Sequence, residues 1–166
     1  MKVRDVMTDE PKFCGPDTNL AAATELMWAN DCGMLPVVED GKLAGIVTDR
    51  DICMALGTRN CRAAETAVKD VATREVRTCE PDDDLSTAMA IMRRARVRRL
   101  PVAEGGKLAG ILALNDIILA AEHNHGAVAS EEVMDTMMAV SEHRIHKSAR
   151  ASVAPSHWPP IPVAVA

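Results

Sequence analysis

Two heptads hold the residues whose types and spacing can do chemistry. The first is Gly45-Ile46-Val47-Thr48-Asp49-Arg50-Asp51, where an apolar run gives way to helical spacing. Thr48 stands at the position of a helix N-cap and Asp51 follows three residues later, so the pair closes a capping box and needs no ligand. The same geometry offers free backbone amides and a positive dipole end, which together cradle an anion. An aspartate in that place accepts two hydrogen bonds from a ribose diol. The second heptad, Gly110-Ile111-Leu112-Ala113-Leu114-Asn115-Asp116, keeps the aspartate but has Ala113 where the hydroxyl stood. An aspartate retained without its box partner favours, by internal symmetry, a role beyond capping.

A second feature is a run of arginine in an acidic chain. The net charge is −5, yet Arg93, Arg94, Arg96, Arg98 and Arg99 fall within seven residues. Such a run meets an anion, a phosphate or a nucleic acid, or is a solvated helix end paired with carboxylates. The second description suits Arg93 and Arg94. Cys14 and Cys79 occupy matching positions, which leaves a thiol redox pair to be weighed against two small apolar residues beside a cleft. Five cysteines without a CxxC spacing read as reduced thiols rather than a disulfide frame. His123, His125, His143 and His146 lack cysteines at a zinc spacing and read as surface residues, so no metal site is expected. No Gly-x-Ser-x-Gly, HExxH, Walker or dinucleotide fingerprint occurs, and no catalytic residue is expected.

Both heptads belong to an internal repeat. Residues 3–57 fall on residues 68–122 without a gap, with 24 identical pairs of 55. Each copy of about 55 residues is marginal alone, so the two halves are expected to share their apolar faces. In each copy Pro16-Asp17 or Pro81-Asp82 places an aspartate as helix N-cap before an apolar stripe, Leu20, Ala23, Met27 or Leu85, Ala88, Met89, Met92. Strands follow at Leu35–Val38 and Leu100–Ala103, turn at Asp40-Gly41 and Gly105-Gly106, and return through Leu43–Val47 and Leu108–Leu112. Helices come next over Asp49–Leu56 and Leu114–Glu122, and Lys12–Cys14 and Arg77–Cys79 form short extended segments. The expected organisation is a first unit at 1–60, a linker at 61–67, a second unit at 68–123, a turn and amphipathic helix at 124–147, and a flexible Ala/Ser/Pro-rich tail at 148–166. The helix is expected to gather Met134, Met137, Met138 and Ile145 on one side. No apolar run approaches the roughly 20 residues that span a bilayer and no leader opens the chain, so a cytoplasmic location is expected.

The doubled pattern of Leu-Pro-Val strand, Gly-Lys-Leu-Ala-Gly-Ile hairpin and Thr-x-x-Asp resembles a tandem pair of CBS domains, the Bateman module, over Val3 to about Glu122. The resemblance implies an α+β fold of two pseudo-twofold β-α-β-β-α units packed through their sheets, without catalysis. It also implies a homodimer, an unidentified protein target, and a cleft for AMP, ADP, ATP or S-adenosylmethionine. The family's site residues map onto Thr48 and Asp51, with Asp49 and Arg50 beside them. The opposite copy would supply Arg77, Arg98 and Arg99 for phosphate and Val76, Thr78 and Val97 around the base. A second cleft would combine Asp116 with Phe13, Cys14 and Met34; lacking arginines and the cap hydroxyl, it would be weaker or empty. With no tyrosine in the chain, nothing here points to stacking of the base. Two other functions fit the residues less well: a nucleic-acid-binding or scaffold protein using Arg93–Arg99, and a thiol sensor using Cys14 and Cys79.

Overall fold

Each Leu-Pro-Val segment becomes a hairpin because the turn between its strands has residues that tolerate positive φ. Asp40 and Gly41 have φ of 50° and 74°, and Gly105 and Gly106 have 56° and 82°, the primed turn that matches strand twist. In a computed structural model describing residues 1–123 and 128–142, strands β2 (Met34–Glu39) and β3 (Lys42–Thr48) form the first hairpin. Strands β4 (Arg99–Glu104) and β5 (Lys107–Ala113) form the second, and a two-residue strand β1 (Thr8–Asp9) precedes both. Helices α1 (Leu20–Ala29) and α2 (Asp49–Arg59) accompany the first hairpin, α3 (Leu85–Ala95) and α4 (Leu114–His123) the second. Helix α5 (Ser130–Ser141) packs on α3 and α4. This is the α+β architecture that the resemblance implied.

The apolar stripes build one core per copy, but the chain crosses between them. Val3, fully buried in a one-turn 3-10 helix, joins the core of the second copy beside Leu85, Met89 and Leu100. Val68, equally buried in the matching turn, joins Leu20, Leu35 and Val47 of the first. Matching backbone bonds seat the two turns: Val3 N to Asp83 O at 2.9 Å and Val68 N to Thr18 O at 2.8 Å. Beyond each turn the chain lies along the other copy's hairpin. Thr8 and Asp9 pair with Ile111 and Gly110, while Thr73 and Ile46 exchange both backbone bonds.

This contact explains the glycine in each Leu-Ala-Gly-Ile. A Cβ on Gly110 would lie 2.9 Å from Thr8 O and 2.8 Å from Met7 Sδ; one on Gly45 would lie 3.0 Å from Thr73 O. The core boundaries are therefore offset from the repeat boundaries, with the segment opening each copy built into the other.

One expectation changes. Asp17 and Asp82 do not cap helices: Asn19 caps α1, accepting from Ala22 N at 2.8 Å, and Asp84 stands at the N-cap of α3. Asp17 instead pairs with Lys69 at 2.6 Å and Asp82 with Arg4 at 2.7 Å. Both are ion pairs to the crossed-over segments, with Asp17 holding the exposed Lys69 ammonium above its usual range. In α5 the buried residues are Val133, Thr136 and Val140, and Met134, Met137 and Met138 share the exposed side, as their spacing implies. Helical spacing says which residues share a face, and two faces of this helix had apolar candidates. Ile145, His125, His143, His146 and the tail 148–166 lie outside the described residues.

The crossing makes Val3→Ala and Val68→Ala equivalent lesions in opposite halves. Each is expected to cost about 1.5–3 kcal/mol, read as a lowered midpoint in urea unfolding. A silent Val3→Ala would contradict the crossed packing.

Candidate functional site

The first turn of α2 is held by the box that its sequence describes. Asp51 N donates to Thr48 Oγ1 at 3.1 Å, Thr48 N donates to Asp51 Oδ2 at 3.0 Å, and the hydroxyl donates to the same oxygen at 2.7 Å. All three bonds leave Asp51 Oδ1 outside the box. At the matching end of α4, Asp116 Oδ2 accepts from Ala113 N at 2.9 Å. A carboxylate three residues into the helix thus caps the preceding amide with or without a hydroxyl partner. Retention of the aspartate in both copies is explained by this bond, and the internal-symmetry argument for a ligand role falls.

Residues of opposite copies do meet at the helix start. Arg99 pairs with Ala113 in the hairpin, and Leu114 N donates to Arg98 O at 2.9 Å, so the backbone of both arginines stays with its own copy. The Arg99 side chain nevertheless lines a cleft of about 660 Å3 together with Asp49, Ile52 and Cys53 of α2 and with Gly33. Gly33 N-terminal to β2 gives the room: a Cβ there would sit 2.9 Å from Asp49 Oδ2. Of the residues expected at this site, Asp49 and Arg99 line the one cleft. Thr48 and Asp51 are half-buried in the box; Arg50, Arg77, Thr78 and Arg98 are exposed, and Val76 is half-buried. Val97, half-buried, packs against the second core and is not in the lining of this cleft.

Trp28 edges the same cleft, 88% exposed at the end of α1. It is an aromatic surface that the sequence reading passed over. The signal was present, since Trp28 falls one residue beyond the Met27 of the core stripe and so must turn away from the core.

The second group does not assemble as expected. Cys14 and Met34 are buried, Asp116 caps α4, and Phe13 lines a different cavity. Cys14 and Cys79 lie in separate cores, and burial pushes their thiols up to about 11 and about 12, the opposite of what a reactive thiolate needs. The arginine run also divides. Arg93 bonds Thr136 Oγ1 at 2.8 Å and approaches Glu132 at 3.6 Å, and Arg96 meets Glu142 at 2.6 Å. These two side chains hold α5 rather than forming a free basic face. Among the described residues no cluster of three metal-ligating side chains occurs, and no helix is long and apolar enough to cross a membrane.

Two like units exchanging their opening segments, with a cleft where they meet, define a paired-domain module. The CBS domain matches at residues 3–58 and again at 68–123, and the chain belongs to the CBS domain family as a tandem pair. It is 31% identical over 144 residues to the CBS domain-containing protein YhcV of Bacillus subtilis, covering 87% of this chain and 98% of that one. A putative acetoin utilization protein (AcuB) from Vibrio cholerae is similar in structure at a TM-score of 0.68 and 31% identity, over 74% of this chain and 91% of its own. The CBS domain pair of protein MJ0100, crystallised with 5'-methylthioadenosine and S-adenosyl-L-methionine, is similar at a TM-score of 0.65 and 25% identity, over 72% of this chain and 98% of its own.

The buried thiols set an alkaline limit. Both have folded values above the ordinary value near 9, so their contribution is complete below pH about 9 and is lost as pH rises toward 11 and 12. Urea midpoints are expected to fall over that window, less steeply in Cys79→Ala. At pH about 8 a thiol reagent is expected to label exposed Cys53 in the native protein and Cys14 and Cys79 only after unfolding.

Proposed function

We propose that this CBS pair is a non-catalytic regulatory module that binds an adenosine-containing ligand of the AMP, ADP or ATP type at the start of α2. The observation that carries this reading is the cleft joining Arg99 of one copy to the first helical turn of the other. In this reading Arg99, with Arg98 beside it, takes the phosphate together with the helix amides. Asp51 Oδ1, outside the capping box, takes the ribose hydroxyls, and Thr48 holds that carboxylate in place. Trp28 offers a face for the base. Arg50, Arg77, Thr78 and Val76 belong to the same proposal, outside the lining of the cleft. The MJ0100 pair, with its two adenosine compounds, supports the ligand class.

A ligand acts here by preferring one arrangement of the halves, within a homodimer, and the effect on a protein target is bounded by that preference. A cytoplasmic, energy-sensing role belongs to the same proposal. The basic-surface alternative is weakened because Arg93 and Arg96 are spent on α5.

Thermal unfolding with AMP, ADP, ATP and S-adenosylmethionine tests the proposal. At about 100-fold excess over Kd the bound form gains about 2.7 kcal/mol, a rise of several degrees. Arg99→Ala is expected to weaken binding by about tenfold or more. Asp51→Asn, which keeps a capping acceptor, is expected to separate ribose recognition from helix stability. No shift with any of the four compounds would refute it.

A further inference from the structure

The crossing creates a second cavity, about 610 Å3, that the nucleotide proposal does not use. Leu43 N donates to Gly106 O at 2.9 Å and ties the two hairpin tips together. The pairing of β1 with β5 then leads residues 10–13 past Leu108 and Ala109 on their way to the first copy. At Cys14 the chain pairs with Val37: Cys14 N bonds Pro36 O at 3.0 Å and Val38 N bonds Cys14 O at 2.9 Å. Extended backbone alternates its side chains, so with Cys14 buried, Phe13 turns outward.

Phe13, the chain's one phenylalanine, is 55% exposed. It shares the cavity wall with Leu26, Val38, Leu108 and Ala109, an apolar lining unusual to leave open. Two cations stand in the same lining, Lys12 from the crossing segment and Lys107 from β5. Both are exposed, and neither has an ion-pair or side-chain hydrogen-bond partner among the described residues. Glu10, at φ 50°, is the one carboxylate in the lining, so the charge there is positive by one. The matching positions of the other copy hold Thr78 for Phe13 and Ala103 for Val38. Ile91, Leu43 and Ala44 keep the other three positions apolar, so it is the ring and the added bulk that are particular to this side of the module.

We infer that this cavity is a separate binding site for a small anion with a flat apolar body, such as an aromatic carboxylate. The ring lies against Phe13 and the aliphatic wall, and the carboxylate meets Lys12 and Lys107. The one carboxylate of the lining, Glu10, stands beside an apolar wall and not at a helix start, which separates this ligand class from the nucleotides of the α2 cleft.

Naphthoate titrated into the intact chain, followed by calorimetry, tests the site against the neutral naphthalenemethanol. Saturable binding of naphthoate is expected, about fivefold tighter than the alcohol and weaker as salt rises. Phe13→Ala is expected to weaken it about tenfold, and Lys12→Ala and Lys107→Ala each about two- to fivefold. Glu10→Gln is expected to strengthen it about twofold. All four side chains are exposed, and unchanged urea midpoints would show that the fold is kept. Arg99→Ala is expected to leave naphthoate binding untouched, and AMP is expected not to displace it. Equal binding of acid and alcohol, wild-type affinity in Phe13→Ala, absence of saturation, or displacement by AMP would overturn the inference. Loss of the AMP response with naphthoate binding intact would count against the nucleotide proposal alone.

Discussion

The close approach of backbone at Gly45 and Gly110 is the constraint on which the rest of the molecule depends. Each glycine lets a segment from the opposite copy lie directly on a hairpin, and each segment leads from a turn whose valine fills the opposite core. Without that approach the two units would be marginal domains on a tether. With it they are one body, and the cleft at α2 and the cavity at Phe13 both have walls drawn from the two copies. A ligand in either place would touch both copies at once, so its affinity would depend on how the halves sit.

Much of this was legible in the residues. The turn glycines and Asp40 fixed both hairpins because positive φ is a local demand. Thr48 and Asp51 announced a helix start because a capping box is contained in four residues. The crossing was hidden because it depends on contacts between residues some 80 apart, such as Val3 with Asp83, for which a sequence has no local mark. The same ignorance placed helix caps on Asp17 and Asp82, whose carboxylates answer to Lys69 and Arg4.

The site was legible in part for a related reason. Arg99 and Asp49 were read as neighbours across the copies, and they border one cleft. Val97, two residues before Arg99, packs against the second core and lines no part of that cleft. Adjacent residues on a chain point in different directions, and only the backbone path decides which. Trp28 shows the reverse: a large side chain off the core stripe carries no local mark of the cleft that it edges.

The crossed valines also bear on how the protein is made. Val3 leaves the ribosome before the core it fills, and the first copy lacks Val68 until the second has begun. Neither half completes its interior from its own residues, so long-range closure must precede the gain in burial, and the loop between the two copies has to close before either core is whole.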